Sequence, residues 1–261
     1  MATLTVTPLG GVLGASVTGV AVDDLASQAE ALRSAWFEYQ VLVFPQIHLD
    51  PQQQVALASV FGEPEAHGVD GDDVRVPNYA DDNRLITIIN SHKAKADIWH
   101  TDATFREQPP IGSMLQIMEK PARGGDTMWV STTKAYETLA DPLKAAADQL
   151  EAVHGRPGLT GKASHPVVLN HPETGQPALY VNRGWTSHLK DVPRLQGEDL
   201  LELLYNHIER PEHSMRWSWE IGDTVLWDNR CTQHYAVYDY GDAPRSGHRV
   251  IIQALAGSAD G

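Results

Sequence analysis

The strongest constraint on how this chain folds is the way its apolar residues are parcelled out. They come in short runs, QVLVFP at 40–45, LITIIN at 85–90 and SMLQIME at 113–119, each closed by a proline, an amide or an acid and followed by a long irregular stretch. Runs of that size between turn signals are strands, and they do not alternate with helices in the regular manner of a parallel sheet. A closed or double-sheet antiparallel architecture follows. The expected fold is mainly β with flanking helices, and the double-stranded β-helix, a jelly-roll or cupin-like arrangement, is its natural form.

The rest of the chain fits around such a core. LTVTPLGGVLGASVTGV reads as two short strands around glycine turns, and HPVVLNHPETGQPALYVN as a hairpin with strands Pro166 to Asn170 and Ala178 to Asn182. Helical periodicity appears from Leu25 to Tyr39, where Leu25, Ala29, Leu32, Trp36 and Phe37 share a face, and again from Thr133 to Leu150 and Gly197 to Ile208. A shorter helix in DPQQQVALASVFG has Asp50 as its N-cap and Pro51 at its first position. Residues 63–84 are polar and rich in Gly, Pro and Asp, as a long surface loop would be, and residues 154–164 read as a mobile connection. No repeat or linker divides the chain, so residues 1–261 read as one domain.

Charge narrows the function. Lys and Arg total 20 against 34 Asp and Glu, a formal balance of −14, which argues against a nucleic-acid or anionic membrane surface. The single cysteine, Cys231, has no internal partner, the N-terminus lacks the basic and apolar regions of a signal peptide, and no apolar run approaches the roughly 20 residues of a membrane span. A soluble, reduced, cytoplasmic protein is expected.

The chemistry begins at WHTDATF, residues 99–105, which reads as a strand. Side chains at i and i+2 of a strand share a face, so His100 and Asp102 would offer one nitrogen and one oxygen to a common point, two-thirds of the facial triad of non-heme Fe(II) oxygenases. Alone, so short a pattern more often marks a hydrogen-bonded pair on a half-buried strand. Among the twelve histidines His234, in LWDNRCTQHYAVYDY, is the candidate third ligand. His165, His171, His188, His207 and His213 read as surface or capping residues. Arg245 and Arg249 follow His234 at +11 and +15 and carry the planar fork that suits a carboxylate. Asp228 and Asn229 are candidate partners for a metal-bound imidazole. Trp99, Phe105, Trp129, Trp217, Trp219 and Trp227 read mostly as core, with one or two lining a pocket.

W-H-T-D-x-T-F, then G-G-D-T-x-W, then W-D-N-R-x-T-Q-H-Y-A with its two following arginines, together resemble the taurine and 2,4-dichlorophenoxyacetate dioxygenase family of Fe(II)/2-oxoglutarate enzymes, from LGGVLGASVTGV to HRVII. The resemblance implies iron held by His100, Asp102 and His234, with 2-oxoglutarate and O₂ as co-substrates. It implies further that Thr127, in GGDTMW, and Arg245 hold the distal carboxylate of 2-oxoglutarate. His67, in FGEPEAHG, and Arg249 match positions facing the primary substrate. The expected enzyme is an oxidoreductase, a homodimer or homotetramer, that hydroxylates a small anionic molecule such as an alkyl sulfonate, alkyl sulfate or aryloxyalkanoate. If the hydroxylated carbon bears a sulfur or oxygen leaving group, the product collapses to a carbonyl compound.

Other readings are an amino-acid-like or natural-product substrate for the same chemistry, or a non-catalytic β-sandwich that binds small molecules. A serine acyl-enzyme is suggested only by STTK, Ser131 to Lys134, without its S-D-N and K-T-G companions. A zinc hydrolase would leave Arg245 and Thr127 unexplained. Against the taurine-type pocket the chain has Ala96 for an asparagine and Asp70 for a tyrosine, so taurine itself is not the expected substrate. Asp70, Asp72 and Asp73 read as an exposed acidic loop. Only Gly155 to Ser164 stand where relatives carry an extended lid, which implies either a more open pocket or a different closing element, for which the loop at 63–84 is a candidate.

Overall fold

The computed structural model describes residues 3–66, 85–90, 95–156, 158 and 161–255. An antiparallel ribbon of β1 (Thr5–Pro8) and β2 (Ala15–Thr18) leads through a 3₁₀ segment, Val22–Gln28, into α1 (Ala29–Tyr39), β3 (Val41–Phe44) and α2 (Pro51–Ala58). Then come β4 (Glu63–Pro64), β5 (Thr87–Asn90), β6 (Gly112–Glu119), β7 (Thr127–Ser131), α3 (Thr132–Thr138), α4 (Asp141–Ala147), β8 (Glu151–His154), β9 (Ala163–Pro166), β10 (Val168–Asn170), β11 (Pro177–Leu179) and β12 (Thr186–Leu189). The chain closes with α5 (Arg194–Ile208), β13 (Ser214–Trp217), β14 (Thr224–Asp228), β15 (Thr232–Ala236) and β16 (Ser246–Gln253).

The large sheet runs β1-β2-β3-β14-β6-β16-β4, with β5 also paired to β16; a smaller sheet runs β13-β7-β15. Among the described strands only β2 and β3 pair in parallel. Alternation along the central strands shows how the layers meet. Val41 and Val43 of β3, Val225 and Trp227 of β14, and Leu115 and Ile117 of β6 point to one side, where they pack with Trp129 of the smaller sheet. Leu42, Phe44, Leu226 and Met114, one residue out of phase, point to the other, against Leu32, Ala35 and Trp36 of α1 and Leu57 and Ala58 of α2. A strand buried on both faces needs an unbroken apolar run, which explains QVLVFP. The result is a mainly β jelly roll with α1 and α2 laid on the outside of its larger sheet, while α3, α4 and α5 pack in a separate cluster with Val130 of the smaller one.

Several readings change. The segment from Leu25 is 3₁₀ up to Gln28, with Asp24 at φ −143° and ψ 53° kinking it. The single helix read from Thr133 to Leu150 is two, with Leu139 and Ala140 extended at ψ 142° and 139° between them. Pro142 is the cause: it lacks an N–H for the carbonyl of Thr138, and its ring would crowd that carbonyl in a continuous helix. Ser131 Oγ accepts from Lys134 N at 3.1 Å as the cap of α3, which removes the nucleophile reading of STTK. The hairpin is shorter than read, pairing Val168 with Leu179 and Asn170 with Pro177. The 154–164 connection gives His154 to β8 and Ala163 and Ser164 to β9, and these two strands pair antiparallel. His67, Asp70, Asp72 and Asp73 lie outside the described residues. No helix among the described residues is long and apolar enough to cross a membrane.

Candidate active site

His234 sits on β15, held by the smaller sheet's ladder with its Cα opposite Trp129. His100 reaches it through a two-residue antiparallel bridge, His100 N donating to His234 O at 3.1 Å and His234 N to His100 O at 2.8 Å. WHTDATF is therefore not a strand. Only His100 makes a bridge, and the chain turns at once through residues 102–105, with Ala103 at φ +50°. That left-handed backbone costs an alanine about 1–3 kcal/mol and persists only where the surroundings hold it. Asp102 thus meets His100 by a turn rather than by strand alternation.

The convergence itself stands. Asp102 Oδ1 lies 3.9 Å from His100 Nε2 and 3.8 Å from His234 Nε2, and one donor atom from each residue falls within 4.8 Å of the others. These separations are too long for hydrogen bonds and leave room for a small cation between the groups. All three are buried. His100 Nδ1 lies 2.7 Å from the carbonyl oxygen of Ile98, a partner that only accepts, so that nitrogen carries the proton and Nε2 presents its lone pair. Ser113 Oγ donates to Asp102 Oδ2 at 2.7 Å and leaves Oδ1 toward the histidines.

Electrostatics prepare the same set. Burial alone would raise the Asp102 carboxyl, but His234, Arg249, His100 and the Ser113 hydroxyl hold it well below the usual carboxylate range. Burial, reinforced by His100, lowers His234 to about 3. At neutral pH that imidazole is uncharged, and the cation Asp102 faces is Arg249, whose Nη1 is 3.6 Å from Oδ1. Neutral imidazole beside ionised carboxylate is the protonation state a divalent metal requires.

A cavity of about 360 Å³ opens over these groups, with Arg245, Arg249, Thr127 and Lys95 among its polar lining and Ile88, Leu115 and Trp227 among its apolar lining. Arg245 Nε donates to Gly125 O at 2.8 Å and Nη2 to Thr127 Oγ1 at 3.1 Å. The glycine run in GGDTMW serves this approach: Gly125 has φ +76°, and a Cβ there would stand 3.2 Å from Arg245 Cδ. Trp219 Nε1 also donates to Thr127 Oγ1, at 3.0 Å. With both lone pairs engaged, the threonine hydroxyl has its proton left to give, as an anion would ask.

Some groups were unread or misread in the sequence. Lys95 stacks its ammonium 3.7 Å from the Tyr238 ring centroid at the cavity, and the buried Thr87 hydroxyl, without a partner among the described residues, faces it. Asp228 and Asn229 do not support the histidines. Asp228 binds Arg230 through both oxygens at 2.9 and 2.7 Å and His171 Nε2 at 3.0 Å, and Asn229 Oδ1 accepts from Trp227 Nε1 at 3.1 Å. His171 and His213 are buried rather than superficial. His171, Asp228 and Cys231 also bring donor atoms together, but Arg230 already neutralises the carboxylate and burial keeps the thiol protonated.

Such a molecule, a jelly roll with two imidazoles and a carboxylate converging beside a cation-lined cavity, has the architecture of a metal-dependent oxygenase. The chain belongs to the family described as taurine catabolism dioxygenase TauD, TfdA, which it matches over residues 5–251. It is 36% identical to the alpha-ketoglutarate-dependent sulfate ester dioxygenase of Pseudomonas putida, over 95% of this chain and 89% of that protein. The crystal structure of a taurine dioxygenase from Burkholderia xenovorans superposes with a TM-score of 0.85 at 34% identity, covering 96% of this chain and 91% of that one. AAD-2 in complex with Mn(II) and N-oxalylglycine superposes with a TM-score of 0.81 at 25% identity, over 97% of this chain and 98% of that one. The chain is accordingly an enzyme, an oxidoreductase of the dioxygenase kind.

Proposed function

We propose that this enzyme is an Fe(II)- and 2-oxoglutarate-dependent dioxygenase whose primary substrate is a small organic anion, with alkyl sulfate esters first among the candidates. One observation carries the reading: uncharged His234, lone-pair-bearing His100 and ionised Asp102 converge beside a cavity that also presents the Arg245–Thr127 pair and Arg249. The donor set fits a ferrous ion, and a structural neighbour binds Mn(II) together with N-oxalylglycine, which shares the oxalyl head and distal carboxylate of 2-oxoglutarate. When bound, the ion supplies the coupling of O₂ reduction and 2-oxoglutarate decarboxylation to attack on a substrate C–H bond.

The protein's own groups do the positioning. Arg245 offers a charge-assisted donor pair to the distal carboxylate, and the Thr127 proton adds to it. Arg249 meets the anionic head of the substrate close to Asp102, while Ile88, Leu115 and Trp227 cover its alkyl part and exclude water. His67 is a second substrate-side group in this reading. Hydroxylation at the carbon that bears the sulfate oxygen yields an unstable product that breaks to an aldehyde and inorganic sulfate. Kinship with the Pseudomonas putida sulfate ester dioxygenase supports that class, and Ala96 in place of an amide donor disfavours taurine. The reading comprises one catalytic domain over residues 1–261, at work in the cytoplasm as a homodimer or homotetramer.

Succinate release with Fe(II) and 2-oxoglutarate tests it, assayed against alkyl sulfates, sulfonates, aryloxyalkanoates and amino acids. Alkyl sulfates should stimulate turnover and release sulfate, and His100→Ala should abolish both. Stimulation by amino acids alone would replace the substrate class, and full turnover by His100→Ala would dismiss the ligand set.

A further inference from the structure

The turn that aims Asp102 needs something to hold it. Upstream, the bridge to β15 and the Thr101 hydroxyl, which donates to Thr232 O at 2.9 Å, fix the chain. Downstream, within the turn itself, Arg106 N donates to Ala103 O at 3.0 Å. The external hold comes from elements on either side of the 155–162 connection. His165 Nε2, on β9, lies 2.8 Å from Thr104 O and 3.0 Å from Arg106 O. Both partners are carbonyls, so this nitrogen carries its proton and shares it between two backbone oxygens of the turn.

His154, at the end of the paired strand β8, shares a hydrogen bond of 2.8 Å between its Nδ1 and Thr104 Oγ1, and Asn182 Nδ2 donates to the same hydroxyl at 3.3 Å. Asn182 is itself locked, its Oδ1 accepting from Trp185 N at 2.8 Å and its N–H donating to Thr186 Oγ1 at 2.9 Å. Thr104, His154 and Asn182 are buried. The two imidazoles meet edge to face with centroids 5.2 Å apart. One side-chain hydroxyl and two carbonyls of the turn that holds left-handed Ala103 are therefore gripped by groups that are not among the residues lining the cavity.

We infer that His165, His154 and Asn182, acting through Thr104, are positioning residues that set the direction of the Asp102 carboxylate. The inference rests on the metal-ligand reading above. Outer partners of this kind fix ligand geometry without touching the ion, and their loss weakens metal affinity by about 10- to 100-fold.

The test measures Mn(II) binding to metal-free protein. Thr104→Val, equal in shape but without the hydroxyl, should weaken Mn(II) by that factor, and Thr104→Ser should bind like wild type. His165→Leu should weaken binding likewise, whereas His165→Gln, which keeps a donor N–H, should restore much of it. Thermal unfolding of each metal-free variant separates the readings, because a merely structural role lowers stability and leaves the affinity of the folded protein alone. Wild-type affinity in folded Thr104→Val overturns the inference, and that variant decides if His165→Leu does not fold. Wild-type protein that binds no Mn(II) at all overturns the ligand set as well; His100→Ala gives the level of non-specific binding.

Discussion

Gly184 governs how closely the chain passes the site. A Cβ at this position would collide with Cβ of His100, and the Gly184 N–H donates to Trp99 O at 3.0 Å, so the backbone cannot retreat without losing a bond. Gly184→Ala should therefore displace His100 and weaken Mn(II) binding while the metal-free fold survives; unchanged affinity would show the contact to be slack. Arg245, beside Thr127, is the residue proposed to hold the distal carboxylate of 2-oxoglutarate. Arg245→Gln keeps some hydrogen bonding but loses the charge, and should raise the 2-oxoglutarate KM by about 10- to 100-fold with little effect on the primary substrate's KM. Steady-state kinetics with each substrate varied decides it. His100, Asp102 and His234 were legible because their flanking motifs are long and distinctive. The way Asp102 reaches them was not, since nothing in WHTDATF announces a left-handed alanine. Ser113 was legible in principle as the one small hydroxyl in an apolar strand. Lys95 offered no such signal, being one more charge in a polar stretch.

Among the elements, α2 is the most locally specified. Asp50 Oδ1 accepts from Gln53 N at 2.8 Å, Gln53 Oε1 accepts from Asp50 N at 3.0 Å, and Gln54 Nε2 then ties the helix to β16 through His248 O at 2.9 Å. Asp50→Ala should cost about 1 kcal/mol in urea unfolding and leave Mn(II) affinity unchanged; a loss of affinity would mean that α2 steers β16 and, through it, Arg249. Its cap and proline made this helix readable, with an end placed a few residues too far on. The pair α3 and α4 shows the reverse: periodicity carried a single helix across Pro142, although the proline was the better guide. The strands beneath α1 and α2 were legible as buried runs, while which residues faced which layer became definite only with the partner sheet in place.

For the molecule as a whole, buried histidines set how stability follows acidity. Burial, helped by His165, lowers His154 to about 3 from an ordinary 6.5. The unfolded chain therefore takes a proton below pH 6.5 that the folded chain refuses until near 3, so stability rises with pH across that window and is lost as pH falls through it. Such a group contributes a slope of at most about 1.4 kcal/mol per pH unit, and His234 adds in the same direction. Urea midpoints of the metal-free enzyme should fall from pH 7 to pH 5, less steeply in His154→Asn; an equal slope in that variant would locate the effect elsewhere.

Trp227 packs its ring 4.8 Å from that of His234, with the indole N–H tied to Asn229. A paramagnetic ion seated on His234 would lie close enough to this indole to drain its excited state, so on the proposed ligand set the enzyme would carry a built-in optical gauge of its own loading. Tryptophan emission should dim as Mn(II) is titrated in and recover on chelation, and most of that response should vanish in Trp227→Phe.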